Sequence, residues 1–135
     1  MKKLLIALLV ILIMAVHIGC SKEKRTIVQN DWEVVSLKLH SDSTLIFPTK
    51  EYTLVFNDSR SFSISLDVNG CSGKVKFRKG HSLRFYDIRT TLVCCDSPFA
   101  ESLMANIDVV QHYAVEDNTL YLTGEAGEVI SLKRK

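Results

Sequence analysis

Apolar side chains recur at every second position through most of this 135-residue chain. The clearest case is the segment 61–68, where Phe62, Ile64, Leu66 and Val68 alternate with serine or aspartate. Successive side chains of a β-strand point to opposite faces, so this alternation predicts a strand with one buried and one solvated face. Similar apolar segments, each predicted as a strand, occupy 32–39, 44–47, 52–56, 74–78, 83–88, 112–115, 119–123 and 129–132.

One segment departs from this period and predicts a helix. Its apolar residues are spaced by four, four and three positions: Phe99, Leu103, Ile107 and Val110. This spacing places them on one stripe of a helix, with Ser97 as N-cap and Pro98 at the first helical position. The helix must bury its stripe against the sheet. We therefore predict an α+β fold, mainly β, with a curved antiparallel sheet or partly closed small barrel and one amphipathic helix.

The N-terminus has the pattern of an export signal. A basic start, Met1-Lys2-Lys3, precedes the thirteen apolar residues Leu4 to Val16, and Gly19-Cys20 follows shortly after. A membrane-spanning helix needs about 20 apolar residues, so this run better suits a signal peptide. Gly19-Cys20 resembles a lipobox, in which the cysteine is diacylated and becomes the mature N-terminus, although His17 stands where that motif usually has leucine. Ordinary cleavage and an uncleaved anchor are the alternatives.

These features divide the chain into three parts: a signal peptide at residues 1–19, a tether at 20–30 and a folded domain at 31–135. Residues 21–30 are polar and aperiodic, which is typical of a flexible tether. Loss of residues 1–19 removes two of 17 basic side chains and no acidic one, leaving 15 of each. A neutral mature chain does not favour nucleic acid as a partner.

Cys71, Cys94 and Cys95 remain once Cys20 is assigned to lipid. Adjacent cysteines seldom bond, because the eight-membered ring strains the peptide and the S–S torsion. We therefore expect a bridge from Cys71 to Cys94 or Cys95. It would close a loop of about 23 residues, for roughly 3 kcal/mol of stabilisation. The third thiol is expected to be a small buried apolar group.

We expect no metal, cofactor or catalytic group. Structural zinc sites usually space their ligands two to four residues apart, whereas adjacent cysteines on a strand face opposite ways, so a site with His81 or His112 is disfavoured. A cysteine nucleophile with either histidine as base lacks an activating environment. No phosphate loop or nucleophile elbow is present. The chain is thus expected not to be an enzyme.

A basic stripe is the one candidate binding feature. Its members are Lys74, Lys76, Arg78 and Lys79, of which the first three share one strand face. They could bind a phosphate-rich glycolipid or an anionic glycan. A solvated outer face that resists aggregation is the alternative, and it is the interpretation we favour.

Several short motifs resemble, in order and spacing, the META/HslJ-like domain. They are Trp32 opening the first strand, Leu54-Val55-Phe56 before a turn, Asn69-Gly70-Cys71-Ser72-Gly73, a Thr-x-x-x-Cys element, a following helix and Leu120-Tyr121-Leu122. The resemblance covers about residues 31–135. Ser72 stands where the family usually has asparagine, and both Thr90 to Cys94 and Thr91 to Cys95 fit the threonine-to-cysteine spacing.

The resemblance implies a small sheet or barrel with one helix in an exported bacterial protein, often a lipoprotein. The family is associated with heat shock, antibiotic tolerance and the cell envelope. We expect a lipid-anchored envelope protein, on the periplasmic or surface face of the outer membrane. Its partners would be the membrane, through the lipid, and an envelope protein, glycan or small apolar ligand. The alternative is a stress-protective structural lipoprotein without a dedicated ligand.

Overall fold

The computed structural model describes residues 22–40 and 44–135. In this part of the chain two helices and nine strands follow one another. They are α1 (22–28), β1 (Asp31–Lys38), β2 (Leu45–Ile46), β3 (Thr53–Phe56), β4 (Ser61–Ser65), β5 (Gly70–Arg78), β6 (Ser82–Thr90), α2 (Pro98–Val109), β7 (Val110–Glu116), β8 (Thr119–Gly124) and β9 (Val129–Arg134). The predicted signal peptide and the predicted lipidation site, Cys20, lie outside the described residues.

The strands form one antiparallel sheet that closes on itself. Their order is β2-β1-β3-β4-β5-β6-β7-β8-β9, and β1 also pairs with β9. Eight strands therefore make a closed barrel, while β2 is an additional strand paired with the end of β1 at Leu37 and Lys38. The predicted fold class is confirmed.

The barrel interior is filled by the alternating apolar residues. Phe62 and Ile64 of β4 are buried, as are Leu83 and Phe85 of β6. The ring centres of Phe62 and Phe85 lie 4.6 Å apart, in an edge-to-face arrangement. An eight-stranded barrel is just wide enough for side chains to fill, so burial of this kind stabilises the closed form.

The predicted strand at 61–68 is shorter in the structure. β4 ends at Ser65, because the chain turns there and the Leu66 amide donates to the Asn69 carbonyl, 2.8 Å away. Val68 is consequently 51% exposed instead of buried. The turn joins β4 to β5 close to the predicted Asn69-Gly70 position.

Two irregularities occur in β6. The register with β5 shifts between Ser72 and Lys74, where Asp87 adopts a positive φ of 51°. The β6 backbone lies close to Gly73 at this bulge, where an added Cβ would be 3.1 Å from the Tyr86 carbonyl oxygen and 3.2 Å from the Ile88 Cα. In addition, the register of β6 with β7 consists of the single pair Ser82 and His112, beside which the Tyr113 amide donates to the His81 carbonyl at 2.9 Å, so this junction of the barrel is short.

Helix α2 begins as predicted and lies across one end of the barrel. The Ser97 hydroxyl accepts a hydrogen bond from the Ala100 amide, and Pro98 opens the helix. Leu103 and Ile107 are fully buried. The Asn106 side chain donates to the Lys38 carbonyl at the end of β1, 3.1 Å away.

Helix α1 covers the opposite end and was not predicted. Ile27 is completely buried, and its carbonyl accepts a hydrogen bond of 2.9 Å from the Trp32 indole. The polar sequence of 20–30 had predicted a flexible tether, yet its described part is helical from residue 22. The difference arises because one buried apolar side chain is enough to hold so short a helix. A single apolar residue does not produce a helical period that can be recognised in the sequence. Neither helix of the described segments is long and apolar enough to span a bilayer.

Candidate functional site

The predicted basic stripe lies on the outer face of β5. Lys74, Lys76 and Arg78 are exposed at alternate positions, and Lys79 follows in the turn. The structure adds Arg84 of β6, which pairs directly with Lys76. The sequence could not show this contact, because it depends on the register between the two strands.

The cations of the stripe differ in their pairing. The Lys74 ammonium lies 2.8 Å from the Asp87 carboxylate, and this hydrogen bond raises the pKa of Lys74 and lowers that of Asp87. Within residues 22–40 and 44–135, Lys76, Arg78 and Arg84 have no ion-pair partner. They line an open depression of about 560 Å³ together with Tyr86, Asp87 and Asp108. The depression can attract an anion, but its two carboxylates reduce the positive potential.

A second polar cluster lies at the N-terminus of α2, around Asp67. One carboxylate oxygen accepts hydrogen bonds from the Ser97 amide at 2.9 Å and hydroxyl at 2.6 Å. The other accepts from the Tyr52 hydroxyl at 2.9 Å and lies 3.2 Å from the Lys50 ammonium. The Asp67 side chain is only 6% exposed. The Ser97 hydrogen bonds hold the pKa of Asp67 well below its ordinary value, and burial raises the pKa of Tyr52.

Asp67 should therefore make the free energy of unfolding depend on pH in the acidic range. An aspartate whose pKa is lower in the folded than in the unfolded protein stabilises the fold when it is ionised. This contribution is complete above the unfolded pKa of about 3.9 and is lost as the pH falls below that value. In thermal unfolding from pH 7 to pH 2, we expect Asp67→Asn to be less stable than wild type at pH 7. The gap should begin to narrow near pH 4 and keep narrowing towards pH 2. A gap that stays constant over this range would contradict the assigned role.

Asn69 holds the loop between β6 and α2 onto the β4–β5 turn. Its amide nitrogen donates to the Val93 carbonyl and to Asp96, each at 2.6 Å. Its amide oxygen accepts from the Thr91 hydroxyl and the Val93 amide, each at 2.8 Å. Asn69 is 9% exposed, so these four bonds are largely shielded from water. Asp96 also accepts from the Val68 amide, and this bond lowers its pKa.

The cysteines are arranged differently from the prediction. The structure joins Cys94 to Cys95 and leaves Cys71 as a free, buried thiol. The expected bridge from Cys71 to Cys94 or Cys95 is thus absent. Cys71 points into the barrel opposite Thr90 on β6, whereas Cys94 and Cys95 lie in an exposed loop beyond the end of that strand.

Cys71 is expected to be unreactive in the folded protein. Burial raises the pKa of its thiol and so lowers the fraction present as thiolate. Burial also shields the sulfur from a reagent in solution. In a Cys20→Ser chain without reductant, Ellman's reagent should detect no thiol in the native state and one after unfolding in guanidinium. The same chain with Cys71→Ala should show none in either state. Rapid labelling of the native Cys71 protein would contradict this arrangement.

An apolar tip projects from the same loop. Leu92 is 99% exposed and Val93 57% exposed, and Val68 lies nearby because Asn69 and Asp96 hold the two segments together. The sequence shows the apolar residues but not their exposure, because an apolar pair beside a strand is more often buried.

The residues considered for metal or nucleophilic chemistry are not brought together. The His81 imidazole lies 2.7 Å from the Glu23 carboxylate, and His112 is the cross-strand neighbour of Ser82 at the start of β6. Cys71 lies opposite Thr90. Thr90 lies eight positions after Ser82, so these sites are separated by roughly 26 Å along the strand. Among the described residues, no group of three or more histidine, cysteine or acidic side chains is placed to hold a metal ion.

A comparison with models of protein families shows to which family the chain belongs. The model of the META domain matches residues 25–135, which is most of the chain and nearly all of its described part. The chain belongs to the META domain family. The match begins within α1, so this helix overlaps the META domain instead of preceding it.

Two solved structures are similar to this META domain. A protein from Burkholderia xenovorans, solved by NMR, has a TM-score of 0.68 at 15% identity, covering 83% of this chain and 86% of its own. A DUF4847 family protein from Bacteroides vulgatus, solved by crystallography, has a TM-score of 0.62 at 12% identity, covering 82% and 95%. At these identities the likeness concerns the fold alone. No curated protein matches the sequence significantly.

The motifs that resemble the family have a structural role in this META domain. Thr91 donates to Asn69 and accepts a hydrogen bond of 3.1 Å from the Gly70 amide. Thr90 is the cross-strand neighbour of Cys71. The Asn-Gly-Cys segment and the threonine segment therefore hold each other in place at one end of the barrel.

Proposed function

We propose that this META domain protein is exported and anchored to the membrane through lipid on Cys20, and that it acts at the cell envelope as a non-enzymatic binding or interaction module. The N-terminal pattern carries the proposal: two lysines, thirteen apolar residues and a glycine directly before Cys20. The outer membrane is the proposed location, on its periplasmic or surface face.

The test is acylation of Cys20 in the native host. Metabolic labelling with a fatty acid should label wild type and Cys71→Ala, whereas Cys20→Ala should remain unlabelled. The Cys71 variant is the matched control, because it also removes one thiol but leaves the lipobox intact. Equal labelling of wild type and Cys20→Ala would contradict lipid anchoring.

Surface features of the barrel support the binding role. The Leu92–Val93 tip is solvent-exposed next to Val68, and exposed apolar groups clustered in this way are typical of interaction sites. The basic stripe with Arg84 offers a second surface, for an anionic glycan or a phosphate-rich glycolipid. A pull-down from envelope extract tests both, using the acylated wild type beside Leu92→Ser and Lys76→Glu/Arg84→Glu variants. Equal recovery of every partner by all three would exclude both surfaces.

The packed interior favours the second candidate, a stress-protective structural lipoprotein without a dedicated ligand. Trp32, Phe62, Leu83, Leu120 and Leu122 are fully buried among the residues that fill the barrel. A small apolar ligand would therefore have to bind outside it. A deletion strain distinguishes the candidates under envelope stress: the structural role predicts full rescue by the Leu92→Ser and Lys76→Glu/Arg84→Glu variants.

A further inference from the structure

Helix α1 is fixed to one end of the barrel by three different contacts. A carboxylate oxygen of Glu23 lies 2.7 Å from the imidazole Nε2 of His81 in the β5–β6 turn. The Lys24 ammonium lies 5.3 Å from the centre of the Phe77 ring. Ile27 is buried, and its carbonyl accepts the Trp32 hydrogen bond. The chain immediately after Cys20 and Ser21 is therefore part of the folded body.

The end of the barrel covered by α1 is rich in cations, and we name it the basic end. It consists of α1 and the neighbouring turns, with the cations Lys22, Lys24, Arg25, Arg60, Arg78 and Lys79. Lys24 and Arg25 line a shallow depression with Ser59, so α1 also lies beside the β3–β4 turn. Within the segments that the structure describes, none of the six forms an ion pair.

The acidic groups at this end are Glu23, Asp31, Asp58, Glu116 and Asp117, five side chains against six cations. A Glu23 carboxylate oxygen lies 2.7 Å from the His81 imidazole, and the Asp58 carboxylate accepts hydrogen bonds from the Arg60 and Ser61 amides. Glu116 ends β7 and Asp117 follows it in the β7–β8 turn, the next turn around the rim. The positive side is therefore formed by α1 with the β3–β4 and β5–β6 turns.

The distance to the anchor is short. Cys20 precedes Lys22 by two residues, and an extended chain spans at most about 3.6 Å per residue. A lipid on Cys20 would thus hold the first turn of α1 within roughly 7 Å of the headgroups. A flexible linker of ten residues would have allowed the domain to drift several times further.

From this placement we infer that the basic end docks onto anionic phospholipid headgroups of the membrane that carries the lipid anchor. The inference builds on the proposed acylation of Cys20 and goes beyond it, because it fixes the orientation of the barrel. Each cation near an anionic surface strengthens binding about fivefold. The interaction is screened by salt, with a Debye length of about 8 Å at 0.15 M and about 3 Å at 1 M. Docking orients the Leu92–Val93 tip away from the bilayer.

Trp32, the only tryptophan of the chain, lies at the basic end and reports on docking. We would purify the acylated protein and insert it into vesicles of phosphatidylcholine, with or without phosphatidylglycerol, each containing a dansyl-labelled lipid. Energy transfer from Trp32 to the dansyl headgroups should be greater in the anionic vesicles. The difference should disappear at 1 M salt. Equal transfer in both vesicle types at low salt would overturn the inference.

A pair of matched charge-reversal variants makes the test specific. Arg25→Glu/Arg78→Glu/Lys79→Glu should lose the extra transfer, whereas Lys76→Glu/Arg84→Glu/Arg89→Glu should retain it. All six residues are exposed, and unchanged unfolding midpoints would verify that both variants fold. An equal loss in both variants would also overturn the inference. If mass spectrometry of the purified protein showed no acyl group, the lipid anchor itself would be contradicted. If fully acylated protein gave equal energy transfer in both vesicle types, only the docking would be contradicted.

Discussion

Replacing Trp32 by alanine is expected to lower the free energy of unfolding by about 3–5 kcal/mol, the usual cost of removing a large buried aromatic side chain. Trp32 is completely buried at the α1 end of β1. Its indole also donates the hydrogen bond to Ile27, so the substitution removes both the packing and the contact that holds α1. Urea unfolding followed by circular dichroism measures the change.

Trp32→Phe is the matched control. It retains most of the apolar contact but removes the hydrogen bond, so we expect a smaller loss of about 1–2 kcal/mol. Limited proteolysis should cut both variants faster within residues 22–30, because both lose the bond to Ile27. If the alanine variant were as stable as wild type, Trp32 could not occupy the packed position that the structure gives it.

Replacing Asn69 by alanine is the second large effect, with an expected loss of about 3 kcal/mol. The substitution removes four hydrogen bonds and leaves the amide of Val93 and the carboxylate of Asp96 without their Asn69 partner. A shielded polar group without a partner costs about 1–3 kcal/mol. The loop 91–96 should also exchange its amide hydrogens faster.

Asn57→Ala is the comparison variant for Asn69. Asn57 is exposed, and its side chain accepts one hydrogen bond of 3.2 Å from Ser63. Its replacement should change stability by no more than about 0.5 kcal/mol. Similar losses in the two variants would show that the hydrogen bonds of Asn69 are not special, and that the β4–β5 turn does not hold the loop.

The strands and α2 could be predicted because each is a repeating pattern of many residues. Ser97 and Pro98 marked the start of α2, and the alternation around Phe62 marked β4. The length of β4 could not be predicted, since the alternation continues through a turn whose position is fixed by backbone hydrogen bonds. Closure of the barrel depends on the pairing of β1 with β9, a long-range contact without a local signal.

The candidate sites, too, could be predicted from the sequence only in part. The stripe of Lys74, Lys76 and Arg78 followed from the strand period, whereas Arg84 required the register. The cysteine pairing was wrong because the sequence does not show that Cys71 faces the barrel interior while the other two lie beyond the strand end. Helix α1 was missed because Ile27 and Val28 are too few to produce a helical period.

Amide hydrogen exchange of residues 22–30 tests most directly whether α1 belongs to the folded domain. The Gln29 amide donates to the Arg25 carbonyl at 3.0 Å, and Ile27 is buried. We predict that the amides from Thr26 to Gln29 are protected by orders of magnitude, like those of the barrel strands. Exchange of these amides at the rate of an unstructured peptide would show that the segment is a free tether, and would contradict both the role of α1 and the orientation inferred from it.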